Sequence, residues 1–194
     1  MRLIRHFRSS SVGTRADKKL VNMRGAKCKL TALDKPLGYI SRETFPLPST
    51  GPLLRELSKE LHFGRGFFVL RGLRVDAYTR EENIIIYAGV SAYVGDIRGR
   101  QQDQRHSNGT SLVLSHIKDI NNTAEKGAIG APSNTNDKQV FHTDSGDIVS
   151  LLCLHPAASG GESKISSSWN VYNVLAKERP DLIHTLSEDW VVDG

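Results

Sequence analysis

The triplet His142-Thr143-Asp144 places an imidazole and a carboxylate two positions apart. On a β-strand, residues i and i+2 project from the same face, with their Cα atoms about 6.6 Å apart. Two such donors suit one metal ion, and two His with one carboxylate are the ligands of non-haem Fe(II) oxygenases. In a chain with seven His, about 0.8 such triplets are expected by chance, so the triplet alone also fits a solvated His–Asp pair on a surface strand.

Short apolar runs around the triplet predict the strands that would hold it. Residues 139–144 and 148–154 form two such runs, joined by the turn residues 145–147. Further strands are predicted at residues 67–70, 112–117 and 162–166. Long polar loops are predicted at residues 95–108 and 121–138, where they could shape a binding pocket.

Helices are predicted on both sides of these strands. A helix opens at Pro52, and a second starts at Thr79 and Glu82, which have capping-box spacing. After the last strand, Ser168 is predicted to cap a third helix and Pro180 to open a fourth.

Taken together, these segments resemble the TauD/TfdA family of Fe(II)- and 2-oxoglutarate-dependent dioxygenases. The resemblance rests on residues 140–148, on the apolar run to Leu154 and on Gly160-Gly161-Glu162-Ser163. It extends upstream through residues 66–73 and downstream through residues 166–182, and covers most of residues 36–194. The motifs are specific as a set, although no single motif is.

The resemblance implies a fold and a set of site residues. The fold is α+β and mainly β: a double-stranded β-helix, or jelly roll, with flanking helices. His142 and Asp144 correspond to the first two iron ligands. Ser163 stands where the family commonly has a Thr whose hydroxyl contacts 2-oxoglutarate, although a plain turn-and-cap role is equally open for it. The implied cofactor is Fe(II), with 2-oxoglutarate and O₂ as co-substrates.

Two further family residues have no counterpart in the sequence. The family's third ligand is a downstream His, followed by an Arg that pairs with 2-oxoglutarate. His155 and His184 lack the surroundings of that His, and Arg179 does not match that Arg. We therefore expect residues 31–194 to be the N-terminal part of a dioxygenase domain with an incomplete barrel.

The implied function is the hydroxylation of a small polar substrate, coupled to conversion of 2-oxoglutarate to succinate and CO₂. The alternative is a non-catalytic, truncated fragment or pseudo-enzyme without the distal His and Arg. Nucleic acid and membrane are not expected as partners, because no basic-aromatic patch and no apolar run of about 20 residues is present. The sequence leaves the oligomeric state open.

The net charge of +5 arises from the N-terminal residues. Residues 1–30 carry nine basic residues and one acidic residue, a charge of +8, which leaves −3 on the rest of the chain. A leader that is rich in Arg and Ser and poor in acids is typical of mitochondrial import segments. A disordered basic extension of a cytoplasmic protein is the alternative. The two Cys, 125 positions apart, fit free intracellular thiols.

Overall fold

The computed structural model describes residues 36–99, 113–118, 135, 138–144 and 146–191. The chain divides into two compact units, Met1–Ser163 and Lys164–Gly194. In the first unit the described residues form helices α1 (Gly51–Phe63) and α2 (Arg80–Ser91) and two short 3₁₀ helices, Leu37–Tyr39 and Val75–Ala77. In the second they form α3 (Ser168–Glu178) and α4 (Pro180–Leu186).

Three parts of the chain that carried predictions lie wholly or largely outside the described residues. They are the basic leader at residues 1–30 and the two loops at residues 95–108 and 121–138. Mitochondrial import and the pocket-shaping loops therefore stay predictions.

Both helices of the first unit begin where the sequence predicts. Pro52 stands in the first turn of α1, where its missing N–H costs no hydrogen bond. At α2, the Thr79 hydroxyl accepts from the N–H of Glu82, and the Glu82 carboxylate accepts from the N–H of Thr79 at 2.8 Å. The predicted capping box is confirmed, and it satisfies two N–H groups that the helix cannot.

The main core cluster of the first unit lies between α1, α2 and the proline-rich segment before α1. Its most deeply buried side chains are Phe45, Leu54 and Ile86. The other members are Ile40, Leu47, Ala88, Val90 and Tyr93. Gly89 allows the close approach of α2 to this cluster, because a Cβ atom there would overlap the Phe45 ring.

Arg98 joins the segment at residues 37–40 to α2 through three backbone carbonyls. Its guanidinium donates to the oxygen of Ile40 at 2.5 Å, of Ala88 at 3.2 Å and of Leu37 at 3.3 Å. Burial lowers the pKa of Arg98. The proline-rich segment is thereby held against the end of α2, although it contains little regular structure, as predicted.

The predicted strands do not form as paired strands in the described part of the chain, where no residue belongs to a β-ladder. A strand requires backbone hydrogen bonds to a neighbouring strand, and the apolar runs instead supply side chains to helices. Phe68 is buried with Val94 in a second cluster, to which Leu61 of α1 and Ile148 also contribute. Of residues 67–70 and 148–154 only Phe68 is buried and the others are half-buried, so these runs show part of the burial, and none of the pairing, that their sequence predicts.

In the second unit, α3 and α4 pack against each other. The N-cap of α3 is Ser167, so the prediction of Ser168 as the cap was wrong by one residue. Ser167 has extended backbone angles and its hydroxyl accepts from the N–H of Asn170 at 3.2 Å, whereas Ser168 is already helical. Pro180 opens α4, as predicted. None of the helices described is long and apolar enough to cross a membrane.

Candidate metal centre

The structure brings together the two residues that the sequence singled out as metal ligands. The Nε2 atom of His142 lies 3.3 Å from Oδ1 of Asp144, and both side chains are about two-fifths exposed. On its other side the imidazole is fixed by the chain itself, because its Nδ1 atom lies 2.7 Å from the carbonyl oxygen of Val140.

This contact assigns the tautomer of His142. A carbonyl oxygen can only accept, so Nδ1 must carry the hydrogen and donate it to Val140. In the neutral imidazole Nε2 then carries a lone pair, which faces an oxygen of the Asp144 carboxylate. Two acceptors at this distance repel unless a proton or a cation lies between them.

The donor pair fits a metal ion in distance and chemistry. Two ligands at right angles around an octahedral ion, with bonds of about 2.1 Å, lie about 3.0 Å apart, close to the 3.3 Å found here. A ligating His commonly donates its second ring N–H to a backbone carbonyl, as His142 does. In the described part of the chain, no third His, Cys, Asp or Glu joins the pair in a group that could hold a metal ion.

The remaining candidate residue, Ser163, is half-buried at the end of the first unit. The structure does not bring it into hydrogen-bonding contact with His142 or Asp144, so its role in binding 2-oxoglutarate stays a prediction.

The downstream residues that were set aside have contacts of their own. His155 is exposed, and His184, on α4, lies 3.5 Å from a carboxylate oxygen of Glu188 through Nδ1. Arg179 donates to both oxygens of Asp181, at 2.9 and 2.6 Å, and these hydrogen bonds lower the pKa of Asp181. Its guanidinium fork is thus committed to a neighbouring carboxylate.

A feature that the sequence analysis missed is the connection between α2 and the segment after Asp144. The Tyr87 hydroxyl donates to the carbonyl oxygen of Ser150 at 2.5 Å, and the hydroxyls of Ser91 and Ser150 lie 3.4 Å apart. Tyr87 and Ser91 are four residues apart and so share a helix face. This polar i, i+4 pair could have indicated a polar contact on that face of α2, but it does not identify Ser150 as the residue contacted.

The chain belongs to the family described as taurine catabolism dioxygenase TauD, TfdA family, whose profile matches residues 33–193. This confirms the family predicted from the sequence. The family comprises dioxygenase-type oxidoreductases and implies a jelly-roll fold, which the described residues neither complete nor pair into a sheet.

Two curated proteins are similar to the chain. The taurine hydroxylase-like protein SAT17 of Stachybotrys chartarum is 43% identical over 163 residues, or 81% of this chain. FR-33289 synthase of Streptomyces rubellomurinus is 28% identical over 148 residues, or 74% of this chain. The aligned part amounts to 40% of each relative's length. No solved structure matches the chain significantly.

Proposed function

We propose that this chain supplies two iron ligands of an Fe(II)- and 2-oxoglutarate-dependent dioxygenase. The observation that carries the proposal is the approach of Nε2 of His142 to Oδ1 of Asp144, 3.3 Å apart, with Nδ1 of His142 turned to the carbonyl oxygen of Val140. A shared cation would bind both facing atoms. Membership of the family favours iron as that cation.

The residues of the chain would have distinct roles in such a site. His142 would bind iron through Nε2 while Val140 holds its ring in place, and Asp144 would add a charged ligand. Ser163 would donate its hydroxyl to a carboxylate of 2-oxoglutarate. Bound iron, with 2-oxoglutarate and O₂, supplies the chemistry that oxidises a C–H bond of the substrate and releases succinate and CO₂.

We propose a small polar molecule as the substrate: an organic acid, an amine or a sulfonate. The proposal is supported by the family and by the name of one relative, a taurine hydroxylase-like protein, since taurine is an aminosulfonate. The described residues do not name the compound.

A second candidate is that this chain by itself is not catalytic. It is favoured by the contacts of Arg179, whose guanidinium already pairs with both oxygens of Asp181. It is also favoured by the described part of the chain, where no third His, Cys, Asp or Glu completes a metal-binding group with His142 and Asp144. Conversion of 2-oxoglutarate to succinate by the purified chain with Fe(II) and O₂ would exclude this candidate.

The test of the iron site is an anaerobic titration of the purified chain with Fe(II). The variants His142→Ala and Asp144→Ala each remove one donor, and His155→Ala and Asp147→Ala are matched controls on exposed side chains of the same unit. We expect one site in the wild type, and a loss of affinity of about 100-fold or more in the two ligand variants, at least the effect of removing an outer-shell partner.

The controls should bind Fe(II) as the wild type does. Equal affinity in all five proteins would refute the assignment of His142 and Asp144. Weak binding in His155→Ala or Asp147→Ala alone would move the site to those residues.

A further inference from the structure

The segment that follows Asp144 is held against the rest of the first unit by three contacts. Ile148 packs with Phe68 and Val94 in the second cluster. Two residues later, Ser150 receives the Tyr87 hydrogen bond at 2.5 Å and meets the Ser91 hydroxyl at 3.4 Å. These contacts begin four residues after Asp144, whereas the side chains of residues 140–144 are exposed.

From this geometry we infer that Tyr87 is a positioning residue for the metal pair. It holds the backbone of Ser150 on α2, and through residues 146–149 it limits where Asp144 and His142 can lie. The inference rests on the proposed function, because it assigns Tyr87 to the same iron site.

Of the three contacts, the hydrogen bond from Tyr87 to Ser150 constrains the segment most. Its hydrogen bond reaches a backbone carbonyl, which every residue at position 150 would offer, so the link acts on the main chain itself. The Ser91 contact is long for a bond between hydroxyls. Burial raises the pKa of Tyr87, so the phenol keeps its proton near neutral pH and remains the donor. The packing of Ile148 has no directional preference and fixes the segment less sharply.

The variant Tyr87→Phe removes the hydroxyl and keeps the ring. The control is Tyr93→Phe, which removes a buried hydroxyl from the same unit, one that contacts Leu47 and Phe45 rather than residues 148–150. Each protein is titrated anaerobically with Co(II) as the metal probe, and the visible absorption of bound Co(II) reports the geometry of its ligands. The rate of thermolysin cleavage within residues 146–152 is measured in the metal-free proteins.

In Tyr87→Phe we expect Co(II) affinity to fall about three- to ten-fold, the effect of one lost hydrogen bond, with a changed Co(II) spectrum. Cleavage within residues 146–152 should accelerate by a similar factor, because the Ser150 carbonyl is no longer bound to α2. Tyr93→Phe should lower the unfolding temperature and leave affinity and spectrum unchanged. A purely structural role for Tyr87 predicts the same result for both variants.

Failure of this inference and failure of the proposed function give different results. Wild-type affinity, spectrum and cleavage rate in Tyr87→Phe overturn the positioning role and leave the iron site intact. A wild type that does not bind Co(II) overturns the proposed function. In that case the cleavage of residues 146–152 still tests the link between Tyr87 and Ser150, because an unchanged cleavage rate refutes it.

Discussion

Removing the hydroxyl of Tyr93 should destabilise the first unit more than its single oxygen atom implies. Tyr93 is 8% exposed, and its hydroxyl accepts from the N–H of Leu47 at 2.8 Å and lies 3.2 Å from the carbonyl oxygen of Phe45. It therefore ties the end of α2 to the proline-rich segment, where little regular structure is available to satisfy these backbone groups. The hydroxyl also lies 3.5 Å from the carbonyl oxygen of Arg42. The variant Tyr93→Phe removes all three contacts and preserves the ring.

The size of this destabilisation follows from the N–H group of Leu47, which loses its acceptor. A net hydrogen bond contributes about 1 kcal/mol, and a buried donor without a partner costs about 1–3 kcal/mol. Leu47 is 5% exposed, so water does not readily replace the phenol at its N–H group. We expect a loss of about 2 kcal/mol in the free energy of unfolding of this unit.

Hydrogen exchange can assign this loss of stability to the first unit, whereas a probe of the whole chain cannot. Both Trp residues, Trp169 and Trp190, lie in the second unit, so fluorescence monitors the other part of the chain. A loss of 2 kcal/mol corresponds to about 30-fold faster exchange in α2, with no change in α3. Tyr172→Phe, on a half-exposed ring of α3, is the control and should change exchange in α2 less than twofold. Exchange in α2 of Tyr93→Phe within twofold of the wild type would refute the reasoning.

Two further changes test packing and charge. Gly89→Ala should lower the unfolding temperature, because the added Cβ atom would overlap the buried Phe45 ring. This holds although Ala is the better helix former by about 1 kcal/mol. Gly99→Ala is the control and should not lower it, because a Cβ atom at position 99 meets no atom within 4 Å. Hydrogen bonds from Arg65 lower the pKa of Glu60 from 4.5, so this carboxylate stabilises the fold above about pH 4.5 and the gain is lost as the pH falls. Between pH 6 and pH 3, the free energy of unfolding measured with urea should fall less in Glu60→Gln than in the wild type. An equal fall in both proteins would contradict this role of Glu60.

The helices were predictable because their signals are local. The capping box of Thr79 and Glu82 spans three residues, and Pro52 and Pro180 act within the first turn of their own helices. Even so, the neighbouring serines at 167 and 168 could not be ranked as caps, because both have the required hydroxyl and the backbone angle decides between them. Strand pairing is not local in this sense, so an apolar run such as residues 67–70 gives burial and leaves its partner undefined.

The approach of His142 to Asp144 could be predicted for the same reason, whereas the contacts that support this segment could not. His142 and Asp144 are two positions apart, so their spacing alone brings them together. The Tyr87 hydroxyl and the Ser150 carbonyl are 63 positions apart, and a main-chain acceptor leaves no mark in the sequence. Spacing can thus indicate which side chains lie close together, while the contacts that hold their segment in place depend on tertiary structure.

The separation of the pair from the core makes the metal experiments interpretable. His142 and Asp144 are about two-fifths exposed and belong to neither cluster of buried side chains, which Phe45, Leu54 and Phe68 help to form. Replacing an exposed residue usually changes stability by less than about 0.5 kcal/mol. The ligand variants should therefore fold like the wild type, and a loss of Fe(II) binding in them reports a lost donor rather than a lost fold. Tyr87 differs from them, because it lies on a core helix and also contacts the segment that carries the pair. Its variant therefore requires Tyr93→Phe as a control for a general loss of stability.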